Sequence, residues 1–371
     1  MGDETARTVL VLGAGFTRAF VPTAPLLIGD FGCKELAEKL GAFEHAVRVP
    51  KAEMAAGASG EVNIESLMTR LDGRMPYDYH NGADSELALL LTEVKANFVD
   101  RLMNAREPDL HDEDLSLLAR CCVENEISCV TFNYDDMFDE ALWRVQELTM
   151  VPHDGVQYWH PDGGYGFFCQ MSLTTIEVHE LCMDSTSMQL LKLHGSVNWR
   201  SKLGSRQPYA IDDIVHHEVW LPAPPTIGVS PSGLDMANIE RHLNREPFIV
   251  PPVLAKSSLV EEPVLRYVWS LAYQVLRQAD RVVFVGYSFP VTDLAARFLF
   301  TETLQRGEQS PKIEVVNFAS AEEQRERVRE NYRAVVPWIE DHQFDFEGAR
   351  SWSLRFVDSI RNSRSSEGTG G

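Results

Sequence analysis

The sequence predicts an α/β fold: a doubly wound, mostly parallel sheet carrying a large helical insertion. Three observations carry this expectation. Short apolar β-type runs recur along the chain and end in small or polar residues. The first of them turns through glycines straight into a helical pattern. A long block of helical periodicity then separates it from the next strong run. The 371 residues suffice for one elaborated domain, read here as residues 1–361 with the insertion at about 32–125. Residues 362–371 are Ser/Gly-rich and are expected to be disordered.

The opening element is Thr8 to Phe20, TVLVLGAGFTRAF, in which an apolar strand ends at Gly13-Ala14-Gly15 and passes into a helix. Residues without side chains let the backbone approach a diphosphate closely, and a helix N-terminus favours the anion. The segment therefore reads as the mouth of a nucleotide pocket in a Rossmann-like sheet. Arg18 stands where the full dinucleotide fingerprint has its third glycine, and no acidic residue clearly ends a second strand about twenty positions on. A proline-stiffened loop, Val21 to Pro25, follows.

The pattern from Gly32 to Asn125 is mostly helical. Leu36, Leu40 and Phe43 make one stripe and Ile64, Leu67, Met68 and Leu71 another, followed by Leu87 to Met103 and Leu115 to Val123. Ile127 to Phe132 is the next buried strand, ending at Asn133-Tyr134-Asp135-Asp136 before a helix through Phe138, Leu142 and Val145. Carboxyl ends of parallel strands are where doubly wound sheets bind ligands, so Asn133 and Asp135 are well placed for chemistry, while Asp136 also suits a helix cap.

The stretch from Val151 to Met188 is rich in glycine and aromatics and offers no catalytic spacing; His153 and His160 read as surface or satisfied core histidines. Leu190 to Leu193 is a short strand ending at His194-Gly195-Ser196. After a proline-rich loop, Phe248 to Pro252 reads as an edge segment, because proline cannot donate to an inner ladder. A helix with Trp269, Ala272 and Leu276 precedes Arg281 to Val285, the most convincing buried strand, which ends at Gly286-Tyr287-Ser288 and runs on to Asp293. Small and hydroxyl residues there suit a ribose or phosphate. A further strand, Lys312 to Val316, ends at Asn317, whose amide suits an adenine or ribose edge.

Composition bounds the function. The chain is 44% hydrophobic and 24% charged, as in ordinary globular proteins. Fifty-five acidic against 34 basic side chains give a formal charge of −21, which argues against direct nucleic-acid binding. No apolar run approaches the roughly eighteen residues that span a bilayer, and the Met-Gly-Asp-Glu start lacks the basic region of a signal peptide, so a soluble, cytoplasmic protein is expected. The six cysteines form no C-x-x-C pair and are expected to be buried thiols, with no metal site.

Taken together, four short motifs resemble the sirtuin-like superfamily, and more closely its bacterial non-deacylase branch of NAD hydrolases in anti-phage defence. Gly13-Ala14-Gly15-Phe16-Thr17 is similar to the family's GAG-x-S/T loop, Thr131-Phe132-Asn133-Tyr134-Asp135 to its T-x-N-x-D motif, Lys192-Leu193-His194-Gly195-Ser196 to its L-H-G-S motif, and Gly286-Tyr287-Ser288 to its G-x-S motif. Their order matches as well. The paired C-x-x-C zinc module and the G-I-P-D-F-R stretch of the deacylases are both missing from the sequence. The resemblance thus implies NAD+ breakdown rather than deacylation, with Asn133 and His194 in the catalytic positions. It further implies that Gly13, Ala14, Gly15, Phe16, Thr17, Gly286, Ser288 and Asn317 bind the diphosphate and adenosine of NAD+; from the residues themselves, Asp293 is expected to join them and Asp135 to hold the carboxamide.

Cleaving the nicotinamide–ribose bond passes through an oxocarbenium-like centre and needs the ribose fixed and a water held near the anomeric carbon. An asparagine can orient both, and a histidine titrating near neutrality can act as base. The expected products are nicotinamide and ADP-ribose. Two alternatives stay open at this stage: a non-catalytic NAD or ADP-ribose sensor, and a protein deacylase or ADP-ribosyltransferase. With no sensor module recognisable in the sequence, restraint of such an enzyme is expected from homo-oligomerisation or from a partner; the resemblance implies a HerA-type motor ATPase or an Argonaute-like protein.

Overall fold

A computed structural model describes residues 7–24, 64–72, 83–105, 112–145, 158–171, 187–202, 208–216, 247–250, 261–290 and 293–367. They fall into two compact units, one drawn from Met1–Phe20, His111–Ile249 and Val260–Gly371, the other from Val21–Leu110 and Val250–Leu259.

The first unit opens with β1 (Thr8–Leu12), whose run of aliphatic side chains is buried on both faces, as parallel sheets require. Gly13 leads directly into α1 (Ala14–Phe20). The second unit contributes α2 (Ile64–Asp72) and α3 (Ala83–Asn104), which pack on one another. Leu67, Met68 and Leu71 of the anticipated stripe are buried, as are Leu90, Val94 and Phe98. The stripe of Leu36, Leu40 and Phe43 lies outside the described residues.

Back in the first unit, α4 (Glu113–Glu124) is capped by Asp112, which accepts from the Leu115 amide at 3.0 Å. Arg350 clasps Asp112 and Asp114 at the start of α4, so this helix belongs with the sheet-bearing unit rather than with α2 and α3. β2 (Ser128–Thr131) and α5 (Met137–Arg144) follow. Then come the one-turn α6 (Pro161–Gly164), β3 (Gln170–Met171), β4 (Leu190–Lys192), β5 (Gly195–Ser201), β6 (Ile214–His216) and β7 (Pro247–Ile249).

Pro263 at the first turn starts α7 (Pro263–Gln278), where its missing N–H costs nothing. Val264, Leu265, Val268, Ala272 and Leu276 make its buried stripe. β8 (Arg281–Val285), α8 (Leu294–Leu304) and β9 (Lys312–Val316) lead to α9 (Glu322–Arg333), which buries only Tyr332 and is laced with Arg–Glu pairs one turn apart. β10 (Phe344–Asp345) and α10 (Ala349–Glu367) complete the chain. The last helix runs six residues into the segment expected to be a disordered tail, because extending an existing helix needs no new nucleus.

The main sheet has the order β10-β9-β8-β1-β2-β4, and every neighbouring pair is parallel. Counted along the chain this is the doubly wound, Rossmann-like order, in which the winding reverses between β1 and β8. The predicted fold class is therefore the observed one. A second sheet, β3-β6-β5-β7, is largely antiparallel. Phe248 and Ile249 do sit on its edge strand, as the flanking prolines required.

Candidate functional site

The reversal point is closed by two glycine turns that interlock. Gly13 N donates to Val285 O at 3.0 Å and Gly15 N to Gly286 O at 2.9 Å, stitching the ends of β1 and β8 together. A Cβ on Gly13 would lie 2.6 Å from both Gly286 O and Tyr287 Cα, and one on Gly286 would overlap the Phe16 nitrogen. Gly286 also has φ +67°, a left-handed conformation that side chains disfavour. The glycines are thus needed by the fold itself, before any ligand is considered. The amides of Gly13, Gly15 and Phe16 all have main-chain acceptors. What stands open at this edge is Ala14 and Ser288, both exposed.

Asn133 lies two residues past the paired end of β2. Its Nδ2 donates to Gly13 O and to Thr17 Oγ1, both at 2.9 Å, and its own amide N–H donates to Thr131 Oγ1 at 3.0 Å. With both side-chain donors committed, Oδ1 is the group left to meet a substrate hydroxyl or water. Thr17 passes the arrangement on by donating to Asp135 Oδ2 at 2.9 Å. Asp135 Oδ1 accepts from the Met137 amide at 3.3 Å, whereas Asp136, at the N-cap position of α5, makes no capping bond. Burial pushes the Asp135 carboxyl above the usual range, against the pull of Lys192 and the Thr17 hydrogen bond.

His194 lies two residues past the end of β4, and the pairing Thr131↔Lys192 sets it beside Asn133 in register. Leu193 N donates to Thr131 O, and Val197 N to Tyr134 O, so the two strand-end segments are tied together. The side chains diverge, however. Asn133 reaches toward α1, while the His194 ring lies between Phe132, with centroids 5.3 Å apart, and Tyr134, at 5.7 Å. Both residues are nearly closed to solvent, at 9% and 5% exposure. Gly195, φ +76°, turns the chain from β4 into β5 where a Cβ would strike the Phe248 carbonyl.

Under this layer is an ionic cluster that involves the expected site only through the main-chain carbonyl of Asp135. Lys192, fully buried, donates to Asp139 at 3.0 and 3.1 Å and to Asp135 O at 2.6 Å. Tyr165 donates to the same carboxylate at 2.7 Å and accepts from Asn198 at 2.8 Å. Burial raises the Asp139 carboxyl, again opposed by Lys192. Of these, only Lys192 carried a signal in the sequence: a lysine inside an apolar strand, which is seldom buried without a partner.

Other residues expected to contact the ligand also have partners within the protein. Phe16 is buried, edge-on to Phe20 and Phe138 at 5.1 and 5.3 Å. Asp293 caps α8, accepting from Ala296 N at 3.4 Å and from the Tyr287 hydroxyl at 3.3 Å. Asn317 braces the loop after β8, donating to Tyr287 O at 3.4 Å while its Oδ1 accepts from Phe318 N. His160 is a satisfied histidine: its Nδ1 accepts from Asp162 N at 3.2 Å, beside the buried pair of Asp162 and His216. His153, Cys33 and Cys182 lie outside the described residues. Cys121, Cys122, Cys129 and Cys169 are buried free thiols. Among the described residues no group of three or more metal-ligating side chains is arranged around a cation, and no helix is long and apolar enough to cross a membrane.

Sheet order and glycine turns define a doubly wound α/β protein with its candidate site at the reversal point. No protein-family model and no curated protein matches the chain. Among solved structures it is similar to a Sir2 homolog–NAD complex, with 15% identity over 88% of this chain and 90% of that one and a TM-score of 0.37. A Sir2 homologue mutant in complex with 2'-O-acetyl ADP ribose gives 13% identity, 98% of both chains and a TM-score of 0.43. A structure described as a basis for the mechanism and regulation of Sir2 enzymes gives 13%, 96%, 94% and 0.40. Likeness at this level assigns no activity and places no residue.

Proposed function

We propose that the protein is an NAD+ hydrolase releasing nicotinamide and ADP-ribose. The observation that carries the reading is Asn133. Its amide is locked onto the glycine turn at the reversal point, so its remaining acceptor is held in one direction where a doubly wound sheet binds nucleotides. In this role Oδ1 accepts a hydrogen bond from the attacking water or from a ribose hydroxyl of the nicotinamide ribose. His194 on the adjoining strand end takes up the proton as the oxocarbenium-like centre is captured. Ala14 and Ser288 offer the open edge to the diphosphate and adenosine half. Asp135 holds Thr17 through one carboxylate oxygen and accepts from the Met137 amide through the other, and its remaining acceptor capacity is assigned to the carboxamide. Because the His194 ring lies between Phe132 and Tyr134, its access to the substrate requires those rings to move. The resemblance in the four motifs supports reading this activity as part of anti-phage defence, with restraint proposed to come from self-assembly or from a HerA-type ATPase or Argonaute-like partner.

The test is to follow NAD+ loss with the purified protein, alone and with the product of a neighbouring gene. Asn133→Ala and His194→Ala are expected to lower turnover by about 100-fold or more. Full turnover in both variants refutes the assignment, and a tight NAD+ complex without nicotinamide release refutes catalysis.

A further inference from the structure

A lysine at 0% exposure inside a three-residue strand calls for a reason. Ion pairs in an interior are commonly replaceable by apolar residues of similar volume with little loss of stability, so stability alone does not require this one. Its third contact is more telling. Besides Asp139, the ammonium donates to the main-chain carbonyl of Asp135, the residue whose carboxylate orients Thr17. Thr17 has one proton to give. While it goes to Asp135, the hydroxyl oxygen is free to accept from Asn133 Nδ2, and the direction of the Asn133 amide is fixed. If the Asp135 segment shifts, the hydroxyl can turn elsewhere and Asn133 loses one of its two anchors.

We propose that Lys192 is a positioning residue for Asn133, acting through Asp135 and Thr17, so that the strand carrying His194 also aims the asparagine on the neighbouring strand end. The inference rests on the catalytic reading of Asn133 and adds how its direction is set. It also links the two sequence motifs physically: the register that puts Lys192 beside Thr131 brings its ammonium under the loop that follows Asn133.

Lys192→Met alone leaves the Asp139 carboxylate buried without its cation and is expected to lose stability, so the decisive variant is Lys192→Met combined with Asp139→Asn, which removes both charges. Three readouts are taken: melting temperature, steady-state kinetics with NAD+, and solvent exchange of the Asn133 side-chain amide in 15N-asparagine-labelled protein, its signal assigned by its loss in Asn133→Ala. Positioning predicts that the double variant melts near the wild-type temperature. Its kcat falls by about 100-fold at a KM within about twofold, and its Asn133 amide protons exchange about tenfold faster. Unchanged kcat and unchanged amide exchange in a well-folded double variant overturn the proposal. The amide readout decides it even if the wild-type protein consumes no NAD+, a result that would fell the hydrolase reading on its own.

Discussion

Gly13→Ala separates two accounts of the opening glycine turn. If Gly13 serves only the approach of a diphosphate, the substitution leaves the ligand-free protein as stable as before. The structure says otherwise. The added methyl would sit 2.6 Å from Gly286 O, 2.6 Å from Tyr287 Cα and 2.8 Å from Tyr287 Cβ, where ordinary contact begins at 3.4 Å. The first two of these neighbours are backbone, so the ends of β1 and β8 must part. Parting them strains the Gly13–Val285 and Gly15–Gly286 hydrogen bonds, each worth about 0.5–1.5 kcal/mol net. Overpacking a filled site costs about 1–3 kcal/mol more. A loss of about 2–6 kcal/mol is expected, a large part of the stability of a typical domain. Urea unfolding followed by far-UV circular dichroism, without ligand, measures it. A change below about 0.5 kcal/mol, the range of ordinary surface substitutions, would refute the interlock as the reason for the glycine.

One further substitution and one titration follow from the same geometry. Asp293→Ala removes both the cap of α8 and the acceptor of the Tyr287 hydroxyl, and should lower stability by about 1–2 kcal/mol in chemical denaturation; unchanged stability with weakened nucleotide binding would make Asp293 a ligand residue instead. His160 should titrate below the ordinary histidine value of 6.5, because burial disfavours its charged form more than Asp162 supports it, and because Nδ1 can accept from the Asp162 amide only when unprotonated. A folded pKa below the unfolded one means its contribution to stability is present above about pH 6.5 and lost as pH falls through the folded value. Following the His160 ring proton by NMR checks this, and a midpoint at or above 6.5 would contradict it.

The main sheet was legible because each of its longer strands is an apolar run ending in a distinctive polar or glycine turn, and the positions of Asn133 and His194 beyond those runs fix their place at the sheet's carboxyl edge. The direction of their side chains was not legible. Spacing cannot reveal that Asn133 turns toward Gly13 and Thr17 while His194 slots between two aromatic rings, since both follow from contacts made across more than a hundred residues or across neighbouring strands. The second sheet escaped notice for a different reason. Its strands β3 and β6 are two or three residues long, too short for an alternation to show, and are specified by pairing, β3 with β6 and β6 with β5, rather than by their own pattern; only the edge strand β7 was marked, by its prolines. Helix α9 is similar: with only Tyr332 buried it has no apolar stripe, and its ion pairs and tertiary position sustain it. For Phe16, Asp293 and Asn317 residue type and placement pointed to ligand contact, and the packing, capping and bracing that their side chains also supply could not be read from spacing.

The central claim is tested most directly by proton NMR of NAD+ incubated with the purified chain, with and without the product of a neighbouring gene, beside the Asn133→Ala variant under identical conditions. The account predicts nicotinamide and ADP-ribose appearing in equal amounts with the wild-type chain and NAD+ persisting with the variant. Intact NAD+ under every condition, or equal product from the variant, would contradict it.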